Sequence, residues 1–400
     1  MRSIAMAIGA VLLSSFTWAQ APVPFPDQPP EKQKAECARI EQRDTERMQQ
    51  GLPAVHPYEE VCYPPKTFAF ANKPSAKGLQ DIAQILRSVV QVTPAQMSLE
   101  PDAATVTVRC APGKQEMVSW LIGQLDRSPD VSGQRATDTT VHEMPVPRTE
   151  QEQPTKSDEV MRVFFLAHTG TQRGYQEILA TIRLIADFLK VYGESDQYIF
   201  VARAPAAQLD LAAYLINALD VAPGTTKSSA EFAYTAPDTP FLRRMSGNTS
   251  PVSEVVQVFY PVHGTVLRGM QQIVTAPRSV LGTRKIFWDT EVGAIPVRGT
   301  PVDIATAHWL IDSLDIAADP NATAPADHQL TVAAVPGEDS VIRVFYIGQN
   351  TNSAGLAGVL TRVQTDPAMK VASVDNPPAL IVRGSASQVA TIASGLRNVP

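Results

Sequence analysis

Residues that could do chemistry are few in this sequence, and their spacing does not fit catalysis or metal binding. His142-Glu143 begins the pattern of a zinc protease, but Val146 occupies the second ligand position and Pro145 would break the helix. The three cysteines form no C-x-x-C pair for zinc or redox work. Gly224 to Ser228 lacks the glycine spacing of a phosphate-binding loop. We therefore predict no catalytic, cofactor-binding or metal-binding residues, and a protein that is not an enzyme.

Two histidines occupy equivalent places later in the chain. His168 and His263 each follow an aromatic, strand-like run, which suggests a metal site, but Gln349 takes the same place in a further copy of that run. A polar side chain at the exit of a strand commonly satisfies backbone groups. We therefore favour a structural role over a metal.

Composition narrows the class of partner. The chain is 44% hydrophobic and 18% charged, with a formal net charge of −6 at pH 7. A mild acidic excess argues against nucleic acid, whose binding needs a basic patch. The 33 prolines collect between hydrophobic segments, which indicates several small units joined by linkers.

The N-terminus predicts export. Arg2 is followed by the apolar run Ile4 to Phe16 and by small residues at Ala19-Gln20-Ala21, as in a secretory signal peptide spanning 1–21. A membrane anchor is the alternative, but the run is shorter than the roughly 20 residues that a bilayer requires. The expected location is the periplasm, with no transmembrane segment in the mature chain.

The N-terminal segment, 22–65, differs in amino-acid composition from the rest of the chain. It begins rich in proline, and Glu31 to Gln50 carries enough charge and helix-forming residues for one exposed helix, either a solvated tether or a docking element. In an oxidising compartment, Cys37 and Cys62 are a possible disulfide. Cys110, beside a predicted strand, would then remain a buried thiol.

Internal repetition is the strongest pattern. An aromatic strand-like run recurs four times, and each copy precedes an amphipathic helix with one apolar stripe. The strand copies are Thr67–Phe70, Val163–Leu166, Val258–Pro261 and Val344–Ile347, and the helix patterns begin near Leu79, Ile178, Val266 and Leu356. One stripe per helix predicts packing against one sheet face.

A hairpin and a second helix complete each copy. The last strands of the hairpins align at Val108, Val201, Val297 and Val382, and Pro296 predicts an edge or irregular strand in the third copy. The closing helices end in Asp126, Asp220 and Asp315, which we interpret as capping or turn residues. Their aromatic residue is missing from the fourth copy, Ile392–Leu396.

Recurrent arginines stand at the end of the hairpin strand. Arg109, Arg298 and Arg383 are a possible interface, because each could pair with a carboxylate of a neighbouring module; a solvated arginine is the alternative. The second copy departs from this pattern, with Ala202 and Arg203 where the others have arginine followed by a small residue.

The predicted fold is α+β: tandem β-α-β-β-α modules, each a small sheet with two helices packed on one face. Short strand-like pieces between copies could add edge strands to neighbouring sheets. The predicted modules are 66–128, 158–222, 253–318 and 339–400, and the predicted linkers are 129–157, which we expect to be a flexible joint, 223–252 and 319–338.

This order of elements, with a hairpin strand such as Leu380-Ile381-Val382-Arg383-Gly384, resembles the ring-building N-terminal domains of the bacterial secretin family. The resemblance implies a periplasmic protein that binds partner proteins or assembles with copies of itself, and we expect it to act without a secretin-type pore domain. RNA-binding KH domains share the topology, but no G-x-x-G loop is correctly placed here to clamp RNA.

Two functions remain open from the sequence. The first is a non-enzymatic periplasmic protein that mediates protein–protein interaction or assembly, as an accessory of a secretion or pilus complex. The alternative is a cell-wall or glycan-binding envelope protein, which exposed aromatic residues on loops would favour.

Overall fold

A computed structural model describes residues 30–51, 63–127, 141–147, 159–222, 225, 234–237, 253–263, 267–281, 285–316, 327–332, 340–347, 366, 369–375 and 377–397. The chain divides into two compact units, residues 1–69 with 92–115 and residues 70–91 with 116–400. The predicted signal peptide, most of the predicted flexible joint and the first helix of the fourth module lie outside the described residues.

The described part of the first unit contains a long N-terminal helix and an antiparallel sheet. Helix α1 (Pro30–Gln49) confirms the helix predicted from charge and propensity. Strands β1 (Lys66–Ala69), β2 (Met97–Glu100) and β3 (Thr105–Val108) form an antiparallel sheet in the order β1-β3-β2. Helix α3 (Pro112–Leu125) begins in this unit and ends in the second.

The predicted cysteine pair falls partly outside the described residues. Cys37 is disulfide-bonded, whereas Cys62 lies in the undescribed segment before β1. Cys110 is a fully buried thiol two residues after β3, at 0% exposure.

The described part of the second unit contains the remaining α-helices and three further sheets. Helix α2 (Ala76–Ile85) continues into a π-helical turn, Leu86–Val90. The remaining elements follow in chain order: β4 (His142–Pro145), β5 (Glu159–Phe165), α4 (Gln172–Ile185), β6 (Val191–Glu194), β7 (Ile199–Pro205), α5 (Ala206–Leu219), β8 (Tyr234–Thr235), β9 (Val255–Phe259), α6 (Leu267–Leu281), β10 (Ile295–Gly299), α7 (Pro301–Leu314), β11 (His328–Val332), β12 (Ser340–Tyr346), β13 (Lys370–Asp375), β14 (Pro378–Gly384) and α8 (Ala386–Arg397).

Each later sheet gains a strand from the linker before it. The sheet orders are β4-β5-β7-β6, β10-β9-β8 and β11-β12-β14-β13. Strands β4, β8 and β11 therefore lie at an edge of the sheet of the module that follows them, antiparallel to its aromatic strand. The α+β class and the addition of edge strands from the linkers are confirmed, but β4 and β8 begin at the last residues of the predicted pieces Thr139–His142 and Glu231–Tyr234.

Local sequence explains where the helices begin. Thr300 is the N-cap of α7 and forms a capping box with Asp303, and Pro301 takes the first helical position, as predicted. Ser75 and Thr171 cap α2 and α4 by accepting the N–H of Gly78 (2.9 Å) and of Gly174 (3.0 Å).

Proline shapes the third sheet as predicted. Pro296 lies in β10, an edge strand of its sheet, and it cannot donate to a ladder. The first hairpin segment is held there by isolated bridges, Ile286 to Val297 and Asp289 to Ala294.

The hydrophobic core shows that each of the last two sheets is covered on both faces. One cluster joins Ile178 of α4 and Leu215 of α5 both to Phe200 of their own sheet and to Val256 and Val258 of the next sheet. We use the term docking face for the sheet face that carries Val256 and Val258, and for the equivalent face of the other sheets. The next cluster joins helices of the third module to Ile342 and Val344, the docking face of the fourth sheet. Helices and sheets of the second unit therefore alternate in layers.

This layering explains the character of the closing helices. Helices α5 and α7 are apolar almost all round, because each packs between two sheets. Helix α8 instead exposes Ser387, Ala390 and Thr391, and Ser394 stands where α5 and α7 have Tyr214 and Trp309. The aromatic residue is lost where no further sheet packs among the described residues.

Candidate interaction site at the module junctions

The recurring residues of the sequence meet at the contacts between consecutive modules. We call the contacts between modules one and two, two and three, and three and four the first, second and third junctions. Among the described residues, no three His, Cys, Asp or Glu side chains are grouped to hold a metal ion. His168 and His263 are both exposed at the exits of their strands.

A helix side chain binds the hairpin turn of the next module at the first two junctions. Asp81 of α2 accepts the N–H (3.1 Å) and the hydroxyl (2.7 Å) of Ser195. Glu177 of α4 accepts the N–H (2.7 Å) and the hydroxyl (2.5 Å) of Thr290, and the N–H of Glu291 at 3.2 Å. One carboxylate thus satisfies two or three donors of a tight turn, and hydrogen bonds to a charged acceptor are the stronger kind.

The third junction uses a neutral version of this contact. Gln272 of α6 accepts the N–H of Asp375 at 2.7 Å and donates to its carboxylate at 2.8 Å. In the turn of the first module the equivalent residue is Pro101, which has neither an N–H nor a hydroxyl to offer.

Glycine permits the close approach of helix and turn. A Cβ atom on Gly78 would lie 3.1 Å from Glu194 Oε1 and 3.3 Å from Asp196 Oδ2. One on Gly174 would lie 3.1 Å from Glu291 Cγ. These two glycines occupy the same helical position, three residues before Asp81 and Glu177, so the spacing Gly-x-x-acid marks the contact.

Arg298 joins the second junction through a buried charge network. Its guanidinium donates to Ile185 O (2.9 Å), in the last turn of α4, and to the carboxylates of Asp187 (2.8 Å) and Glu254 (2.7 Å). Lys285 also contacts both carboxylates. Arg298 is only 3% exposed, and cations favour the carbonyl end of a helix.

The other predicted arginines lie at equivalent places with different partners. Arg383 donates to Val280 O (3.2 Å) in the last turn of α6 and to the Ser340 hydroxyl (3.3 Å). Arg109 lies in the first unit, directly after β3, and its backbone N–H donates to Gln96 O at 2.8 Å.

The predicted register of the second copy was wrong by one residue. Arg203 pairs with Met161 across the sheet as Arg298 pairs with Val256, so Arg203 is the equivalent arginine and the apparent departure disappears. Its guanidinium donates to Glu159 at 2.6 Å. The cause of the error is that the apolar run Ile199–Ala202 has no alternation to fix its register.

A tyrosine makes a further contact at two junctions. Tyr260 donates to Ala218 O (2.6 Å) and Tyr346 to Ser313 O (2.5 Å), in each case at the end of the preceding module's closing helix. Burial raises the pKa of both tyrosines to about 12, so the hydroxyls remain donors. At the first junction the equivalent residue is Phe165, and the Arg127 guanidinium lies 3.8 Å from its ring centroid.

The recurring aspartates bind turns, as predicted. Asp220 accepts the N–H groups of Ala167, His168 and Thr169 at 2.5 to 2.9 Å. Asp126 and Asp315 accept two N–H groups each from the equivalent turns.

Replacement of Asp220 by alanine is expected to lower the free energy of unfolding by about 2 kcal/mol, because three backbone donors lose their acceptor. Urea denaturation followed by circular dichroism measures this. The exposed Asp312 of α7 gives the control, since Asp312→Ala removes a carboxylate that pairs with the exposed His308 on the same helix. Equal effects of the two changes would contradict the turn-binding role.

Glu194 is buried beside other carboxylates at the first junction. It is 1% exposed and accepts the N–H groups of Asp196 (3.1 Å) and Gln197 (2.7 Å). Burial raises its pKa to about 7, and the charges of Asp196 and Asp81 act in the same direction. Lys77 of α2 is the cation that pairs with both aspartates.

This carboxyl makes stability depend on pH in a defined direction. Its folded-state pKa lies above its usual value of 4.5, so folding favours the protonated form and this contribution grows as pH falls from about 7 to about 4.5. We expect Glu194→Gln to remove a gain in unfolding free energy of at most about 3 kcal/mol between pH 8 and pH 4.5. Urea denaturation across this range measures it, and an unchanged pH dependence in Glu194→Gln would contradict it.

Sequence reasoning missed the acidic and glycine positions of the first helices. The sequence around these positions does not indicate their role, because the turns that they contact lie more than a hundred residues further along the chain. The spacing Gly-x-x-acid, at Gly78 with Asp81 and at Gly174 with Glu177, was the available signal.

Comparisons with known proteins place the chain near no established family. No family model matches it, and no curated protein matches it. Solved structures with a weak resemblance to it include Aeromonas hydrophila ExeD (13% identity, 60% of this chain and 41% of that chain, TM-score 0.15), a protein of unknown function from Aeropyrum pernix (12%, 41% and 85%, 0.21), and the pilotin–secretin AspS–GspD complex of enterotoxigenic Escherichia coli (13%, 83% and 54%, 0.14). Two of these weak neighbours are secretin-related, and this chain spans under half the length of ExeD.

No helix among the described residues combines the length and apolar character needed to cross a membrane.

Proposed function

We propose that the protein is a non-enzymatic periplasmic scaffold that mediates protein–protein interaction or assembly as an accessory of a secretin-type secretion or pilus complex. The observation that supports this proposal is that the recurring residues make structural contacts within and between the modules. Asp81, Glu177 and Arg298 hold consecutive modules together, and Asp220 binds a turn within its own module. Repetition therefore serves construction, and the surfaces that differ between modules are left for partners.

Two sequence features support the location and the type of partner. The predicted signal peptide directs the chain across the inner membrane. The module order resembles the ring-building domains of secretins, which act through contacts with other proteins.

The described surface does not favour the glycan-binding alternative. Sugar binding commonly uses exposed aromatic rings, because an aromatic face offers apolar area beside a polar edge. Among the described residues the large exposed hydrophobic side chains are Val141, Leu189, Val262 and Val302, none of them aromatic.

The test combines cell fractionation with photo-crosslinking of the full chain in its source organism. A photoreactive amino acid replaces Leu189 or Val262, which are 72% and 70% exposed. We expect processed protein in the periplasmic fraction and discrete adducts with proteins of a secretion or pilus complex. Unprocessed cytoplasmic protein, or co-sedimentation with purified cell-wall sacculi without protein adducts, would refute the proposal.

A further inference from the structure

Among the described residues, no strand pairs with the outer edge of strand β11. It is the outermost strand of the fourth sheet, pairs on one side with β12, and contains five residues without proline, lysine or acidic side chains. The backbone groups on the other side of an edge strand form a template for one more strand, and native proteins usually block such edges with proline, charge or short length.

The two equivalent edge strands carry such protection. Strand β4 ends in Pro145, and its Glu143 holds Arg162 in an ion pair at 2.8 Å. Strand β8 has only two residues, and its Tyr234 stacks on Tyr214 of α5 with ring centroids 5.0 Å apart. The five residues of β11 contain neither a proline nor an acidic side chain, and the strand is longer than β8.

An apolar groove runs along the open edge. Its walls are the first half of α7 and β11, its volume is about 340 Å³, and none of its lining residues is charged: Pro301, Val302, Ala305, Thr306, Leu330, Thr331 and Val332. Val302 is 47% exposed. Leu330 pairs with Ile342 across the sheet, so it lies on the docking face beside α7.

We propose that this edge binds an extended segment of a partner protein as a fifth strand of the fourth sheet. The backbone edge identifies the occupant as a strand, because only another backbone can satisfy a row of alternating donors and acceptors. The groove requires apolar side chains at every second position, since alternate residues of a strand face the same side. The bound segment would lie beside β11 and extend the strand order β11-β12-β14-β13, in which β11 is already a strand added from a linker. This inference rests on the proposed function and specifies its partner.

The probe is a blocked ten-residue peptide that alternates valine and threonine between terminal lysines, carrying a fluorescent label. Binding to the full chain is followed by fluorescence anisotropy, and amide hydrogen exchange is read over Gln329–Val332. We expect saturable binding and at least tenfold slower exchange at this edge. The same peptide with N-methyl groups on alternate amides cannot donate and should not bind.

Two variants make the test specific to the groove. Ala305→Glu places a charge in it at an exposed helix position and should weaken peptide binding at least tenfold, whereas Ala390→Glu, at the equivalent exposed position of α8, should leave binding unchanged. No binding, binding insensitive to Ala305→Glu, or a dimer of the chain that Ala305→Glu dissociates would each overturn the proposal. Those results would leave the crosslinks at Leu189 and Val262 unaffected, so failure of this inference is distinguishable from failure of the proposed function.

Discussion

Replacement of Gly193 by alanine is expected to lower the free energy of unfolding by about 3 kcal/mol or more. A Cβ atom there would overlap Tyr175 Oη and would lie 2.8 Å from Tyr175 Cζ and 2.9 Å from Ile199 O. Tyr175 cannot move aside, because it is 1% exposed, donates to Ile199 O at 3.2 Å and stacks on Phe200 with ring centroids 4.7 Å apart. Overpacking of a filled core is among the costly classes of substitution.

Urea denaturation followed by circular dichroism measures this loss, and Gly123→Ala is the matched control. Gly123 lies within α3, and a Cβ atom there would meet nothing within 4 Å. Alanine in a helix interior should therefore raise stability by about 0.5 to 1 kcal/mol. Two glycine-to-alanine changes with effects of opposite sign are the expected result; a neutral Gly193→Ala would show that the contact with Tyr175 is not tight.

Replacement of Arg298 by methionine is expected to lower the free energy of unfolding by about 3 kcal/mol. Methionine keeps much of the volume but leaves Asp187 and Glu254 facing each other, with Lys285 as their remaining cation in the network. Removing one partner of a buried ion pair is strongly destabilising, because the other charge stays buried.

Arg383→Met provides the comparison. Arg383 occupies the same place at the third junction, but it donates to the carbonyl of Val280 and the hydroxyl of Ser340, which are neutral. Its loss should cost about 1 kcal/mol. Adding Glu254→Gln to Arg298→Met should recover part of the lost stability, and a simple sum of two losses in the double variant would contradict the network.

The sequence predicted the repeating elements well because their signals are local. The Thr300-Pro301 start of α7, the aromatic strand at Val344–Ile347 and the irregularity at Pro296 each follow from the preferences of a few adjacent residues. The turn role of Asp220 was also predictable, because a carboxylate at a helix end has backbone donors nearby.

Contacts between modules were beyond such reasoning. Asp81 and Ser195 are 114 residues apart, and nothing in either neighbourhood indicates the other. The prediction that the first helix of each module packs against one sheet face was also incomplete, since Ile178 and Ile182 of α4 belong to a cluster that includes residues of two sheets.

The polar face of the first sheet also differs from the later sheets in a way that its own sequence does not explain. Thr67 and Thr107 share a hydrogen bond of 2.8 Å on the face opposite Phe68, where the third sheet has buried valines. Alternation of side chains places Thr67 and Thr107 on one face of the first sheet. It does not show that the equivalent face of the later sheets packs against a preceding module.

Neighbouring modules of the second unit share a hydrophobic core, and amide hydrogen exchange in the Ile182→Val protein tests this sharing most directly. Ile182 is 1% exposed in the second module, and loss of one methylene there should cost about 1 kcal/mol. If the two layers unfold together, the substitution will lower the free energy of opening by the same amount for the amides of Val256–Phe259 in the third module and for the amides of β7. Undiminished protection of Val256–Phe259 beside weakened protection in β7 would contradict the shared core.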